Sequence, residues 1–99
     1  MREDVVRHIG VLSVSVHIPQ SQSLKDKRMV IKGLKERCRN RFNVSVCEVD
    51  GHDKWQVATL AFAMVGTDHN QLDQCFQKIL SLLQASANLE LCDHAISYC

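Results

Sequence analysis

Twice along this chain the spacing of apolar residues changes from every second position to a helical spacing, and few folds accommodate that order. In GVLSVSVHI, residues 10–18, Leu12, Val14, Val16 and Ile18 alternate with Ser13, Ser15 and His17, the pattern of a strand with one buried face. Pro19 removes a ladder donor and the polar QSQS continues as a loop. Ser23 with Asp26 three residues later forms a capping-box signature, so a helix is predicted over residues 23–41. Along it Leu24, Ile31, Leu34, Cys38 and Phe42 fall on one stripe.

The second half repeats the change of period. NVSVCEV, residues 43–49, alternates again, and DGHDK supplies an Asp50-Gly51 turn. WQVATLAFAMVG, residues 55–66, is apolar on both faces, which predicts a central strand. Asp68 with Gln71 then opens a helix to about residue 87, marked by Leu72, Cys75, Phe76, Ile79, Leu80 and Leu83. NLELCDHAISYC remains as a last strand. The order strand-helix-strand-strand-helix-strand, with right-handed split crossovers, predicts an α+β, ferredoxin-like domain: a four-stranded antiparallel sheet with two helices on one face. The 99 residues, 45% of them hydrophobic, fit one such domain spanning residues 1–99.

Charge is distributed very unevenly along this framework. The formal net charge is only +1, yet eight of the 12 Lys and Arg residues (Lys25, Lys27, Arg28, Lys32, Lys35, Arg37, Arg39 and Arg41) lie in SLKDKRMVIKGLKERCRNRF, residues 23–42. At about 100° per residue, Lys25, Arg28, Lys32, Lys35 and Arg39 form a ridge about 20 Å long beside the apolar stripe. Asp26 and Glu36 are its only acids, so the cations repel one another and a polyanion would relieve them.

Three stretches taken together, IPQSQSLKDKR, RFNVSVCEVD and DKWQVA, resemble the YlxP-like family of small bacterial proteins across nearly the whole chain. The matching positions are Ser23, Leu24, Lys25, Asp26, Lys27, Arg28, Arg41, Phe42, Asn43, Val44, Trp55 and Gln56. The resemblance implies a ferredoxin-like fold and genes often found beside translation-initiation and ribosome-maturation factors. It implies no catalytic residue. Cys47 and the complement of five cysteines depart from the family's pattern.

Little in the chain suggests chemistry. The five histidines are scattered without a catalytic or metal-binding spacing, so no enzyme activity and no cofactor are expected. HIPQSQSLK has no glycine, which excludes the backbone phosphate cradle used by acylphosphatases on the same fold. The five cysteines are odd in number and unpaired in spacing, and reduced thiols without a metal are expected; Cys92, His94 and Cys99 make a poor tetrahedral set because alternation sends Cys99 to the other face. The opening MREDVVRHIG mixes charges, and the longest apolar-rich run, residues 57–65, is far short of the roughly 20 residues of a membrane span. A soluble, cytoplasmic protein that does not enter membranes is therefore expected.

Two functions from different classes follow. The first is a non-catalytic RNA- or ribosome-binding factor that meets the phosphates of structured RNA through Lys25, Arg28, Lys32, Lys35, Arg39 and Arg41. The second is a protein-interaction or homo-oligomerising module using the open sheet face at Ser13, Ser15, Thr59, Ala61 and Ala63, with Trp55 at its edge. That face lacks central aromatics, which makes it unsuited to stacking bases.

Overall fold

The computed structural model describes residues 7–99; the charged opening segment, residues 1–6, lies outside them. The elements run β1 (His8–His17), α1 (Leu24–Arg41), β2 (Ser45–Asp50), β3 (Val57–Gly66), α2 (His69–Ala85) and β4 (Glu90–Tyr98). One antiparallel sheet has the strand order β2-β3-β1-β4. This is the α+β ferredoxin-like arrangement, with β3 central as its two-sided apolar character implies.

Register follows from the alternation. Leu12 faces Phe62, Val14 faces Leu60 and Val16 faces Ala58, and all six are buried beneath the helices. Between them Ser13 pairs with Ala61 and Ser15 with Thr59, on the opposite face. Ile31, Leu34 and Cys38 of α1 and Leu72, Phe76, Ile79 and Leu83 of α2 close the same core. Gly10 belongs to the inner face, where a Cβ would stand 2.7 Å from the Phe76 ring, so its missing side chain lets α2 settle onto β1.

Both helix starts lie where the capping residues place them. The Ser23 hydroxyl accepts from the Asp26 N–H at 3.0 Å, and the Asp26 carboxylate accepts from the Gln22 N–H, one residue outside the usual reciprocal partner. Asp68 accepts from the Asn70 N–H at 2.9 Å. α2 stops at Ala85, two residues before its expected end, because Ser86 turns its N–H to the Leu83 carbonyl and its hydroxyl to the Leu82 carbonyl. β3 begins at Val57 and not at Trp55, since Gln56 is committed to the loop that leads into α1.

Candidate nucleic-acid interface

The buried stripe of α1 is Lys27, Ile31, Leu34 and Cys38, a spacing of four, three and four. Lys27 therefore does not join the surface charge. Its ammonium donates to Glu48 Oε2 at 2.8 Å, to the Gly51 carbonyl at 2.6 Å and to the Val57 carbonyl at 3.3 Å, using all three of its donors. Glu48 faces inward on β2 opposite Leu60, so the pair ties α1 to the β2–β3 hairpin. Gln56 makes a second tie, its amide donating to the carbonyls of Pro19 and Ser21.

With that stripe seated on the sheet, the ridge projects along the outer edge of β2. Arg28, Lys32, Lys35 and Arg39 line one hollow of about 300 Å³, together with Ile31, Glu36 and Glu48. Arg39 Nη2 donates to the Val46 carbonyl of β2 at 3.4 Å. Among the described residues, no carboxylate lies within 4.0 Å of any of these four cations. Unpaired cations around a hollow this size attract an anion more strongly than the same charges scattered over a convex surface, because the protein wall limits screening by water.

The six cations singled out in the sequence do not all meet there. Lys25 stands one turn before Arg28 on the same stripe, outside the hollow. Arg41 projects from the opposite flank. With Arg37 and Asn40 it lines a cleft of about 360 Å³ against Leu82 and Ala85 of α2 and the capping residue Ser86, and its guanidinium lies 5.4 Å from the Phe42 ring centre. The charges of Arg37 and Arg41 reach inward as well: burial pushes the Cys38 thiol up from its ordinary value, and these two cations oppose that rise.

The open face takes the expected residues in cross-strand rows. Val11 lies beside Ala63 and Ser97, Ser13 beside Ala61 and Ala95, and Ser15 beside Thr59 and Asp93. Around these small side chains Ile9, Val57 and Val65 are exposed, Val65 at 63%. Trp55 sits in the hairpin loop before β3 and is 50% exposed, so it flanks the sheet without belonging to it. Each of the five cysteines is unpaired. Among the described residues, no group of three or more His, Cys, Asp or Glu side chains is arranged to hold a metal ion, and no helix is long and apolar enough to cross a membrane.

Lys27 and Gln56 are the residues that reading by charge and motif did not place. The signal for Lys27 was present: it falls four residues before Ile31 and seven before Leu34, in the gap that the apolar stripe leaves after Leu24. Gln56 carried no local signal, because its partners lie more than thirty residues earlier in the chain.

Comparison with known proteins places these features in context. A de novo designed protein, Foldit4, superposes with a TM-score of 0.52 at 16% identity, covering 92% of this chain and 96% of that one. A hydantoinase/carbamoylase family amidase from Burkholderia ambifaria superposes with a TM-score of 0.53 at 14% identity, over 95% of this chain but only 28% of the amidase. At these identities the likeness concerns the fold alone. The uncharacterized protein YlxP of Bacillus subtilis (strain 168) is 32% identical over 82 residues, which is 83% of this chain and 89% of that protein. The family described as "Protein of unknown function (DUF503)" matches residues 9–96. The chain therefore belongs to this YlxP-like family.

Proposed function

We propose that this protein is a non-catalytic RNA-binding factor that holds phosphates of structured RNA with the cations of α1. The observation that carries the reading is the convergence of Arg28, Lys32, Lys35 and Arg39 on one hollow without a carboxylate partner among the described residues. Arg offers two parallel donors to a phosphate and Lys a compact charge, so the set suits a backbone with several phosphates in reach. The open sheet face offers serine, threonine and alanine where single-strand binders place aromatics, which favours structured RNA over unpaired bases. The gene neighbourhood implied by the family resemblance makes ribosomal RNA the first ligand to try.

Fluorescence anisotropy with a labelled ribosomal RNA hairpin tests the reading. Wild type should bind, and Lys32→Glu with Arg39→Glu should abolish binding at physiological salt while leaving the circular dichroism spectrum unchanged, since both residues are exposed and Glu is a good helix former. Equal affinity of the double variant and wild type would leave the ridge as a solvated helix face.

A second reading, a homo-oligomer or protein contact through the open sheet, is favoured by the exposed apolar side chains of Ile9, Val57 and Val65 around a floor of small residues. The two surfaces lie on different faces of the molecule and are compatible with each other.

A further inference from the structure

Helix α1 carries cations on both sides of its outer crest, and the crest itself is unusual. Arg28, Lys32, Lys35 and Arg39 flank it on the β2 side, while Arg37 and Arg41 flank it on the α2 side, each set lining its own hollow. Between the rows, at about 100° per residue, run Met29, Gly33, Glu36 and Asn40, Glu36 being a carboxylate that can accept from a ribose 2′-hydroxyl. Met29 is 66% exposed, a large apolar side chain set among charges. Gly33 lies in the middle of an 18-residue helix, where glycine is the poorest former after proline. Among the described residues a Cβ built on it meets nothing within 4 Å, so none of them requires glycine there.

Building on the RNA-binding reading above, we infer that this crest seats in the minor groove of double-stranded RNA, with Gly33 marking the closest approach of the helix backbone to the ribose edge. The two cation rows then meet the phosphates of the two opposite strands, and Met29 lies against sugar. The depth of the groove decides between nucleic acids. Because Ile31, Leu34 and Cys38 bury one side of α1, only its outer half stands clear, roughly 5 Å of a helix 10–12 Å across. That suits the wide, shallow minor groove of A-form RNA and falls short of the B-DNA major groove, which is about 8.5 Å deep.

The experiment compares wild type with Gly33→Ala and Arg37→Gln on a blunt RNA duplex, the matching DNA duplex and the single RNA strand. Gly33→Ala should raise the thermal midpoint by about 4 °C, because alanine favours the helix. The same variant should bind the RNA duplex about tenfold more weakly, because the added methyl group wedges the surfaces apart. Arg37→Gln should flatten the dependence of log affinity on log salt by roughly 0.9 for one lost phosphate contact. A Gly33→Ala protein that is more stable yet binds the duplex as wild type does would overturn the inference while leaving RNA binding intact. Preference of wild type for the DNA duplex or the single strand would overturn the groove assignment. Loss of self-association in Gly33→Ala with unchanged RNA affinity would give the notch to a second protein helix. Absence of RNA binding by wild type at low salt would remove the reading on which the inference rests.

Discussion

Lys27 donates to a carboxylate and two carbonyls from a site only 1% exposed, and each acceptor comes from the hairpin that α1 covers. Truncating it leaves Glu48 without its counter-charge and takes one donor each from the Gly51 and Val57 carbonyls, of which Gly51's keeps the Lys54 N–H. Lys27→Ala should therefore cost about 3 kcal/mol in urea unfolding, a large share of the 5–15 kcal/mol typical of a domain. Lys27→Met with Glu48→Leu should recover most of that loss, because an apolar pair of similar volume needs no desolvation. A loss below about 1 kcal/mol for Lys27→Ala would mean the network is incidental to stability. Cys38 gives a second residue-level expectation. Burial raises its thiol above the ordinary value, and burial also raises Cys75, so the native state holds these protons longer than the unfolded chain does. Their contribution is fully present below the unfolded thiol value and is lost as pH rises through the folded one. The urea midpoint should fall as pH rises past the unfolded thiol value and through the raised folded one, and Cys38→Val should lessen the fall. Identical slopes in the two proteins would contradict this. Single residues were the least legible part of the chain. Composition counted Lys27 only among the eight clustered cations, and helical phase together with its hairpin partners places it inside.

At the scale of elements, periodicity and capping accounted for nearly everything. Alternation in β1 placed Leu12, Val14 and Val16 inward, and Ser23 and Asp68 marked both helix starts. Ser23→Ala removes the side-chain oxygen that holds the Asp26 N–H. The expected cost is about 1 kcal/mol, read as a drop of roughly 4–8 °C in thermal midpoint. No change would show that the Asp26 carboxylate on the Gln22 N–H is sufficient by itself. Element ends were less legible because long-range hydrogen bonds set them. Gln56 is held by Pro19 and Ser21, and its own carbonyl accepts from the Ile18 N–H at 2.7 Å, so the ladder of β3 waits until Val57. These ties bring SLKDKR and WQ together in space: Lys27 and Gln56 clamp the same corner, where the β1–α1 loop meets the hairpin. In this chain the two stretches therefore serve the fold, and the ridge cations are a separate feature carried on the same helix.

The whole molecule presents two faces with different physics. One carries the cations of α1 with hollows on both flanks; the other is a sheet of small side chains with Ile9, Val57 and Val65 exposed around them. If copies associate through the sheet, Ala61→Glu places a charge on the central strand that contact would have to desolvate, and it leaves the covered core untouched. Light scattering should then show an oligomer in wild type and a monomer in Ala61→Glu. A wild-type monomer at every concentration removes self-assembly, and an oligomer that persists in the variant assigns it to another surface. The location of these faces was readable from the alternation in β1 and β3, whereas the division of the cations was not. Arg41 follows the ridge closely in sequence, yet the helical phase turns it toward the cleft with Arg37. The central claim is that the ridge neutralises RNA phosphates, and the salt dependence of binding tests it most directly. Affinity for a ribosomal RNA hairpin should be measured over a salt series for wild type, Lys32→Gln, Arg39→Gln and the double variant. Wild-type log affinity should fall steeply with log salt, each single change should flatten the slope by about 0.7–0.9, and the double variant should lose roughly twice as much. Four parallel lines, or a wild type whose affinity ignores salt, would contradict the account.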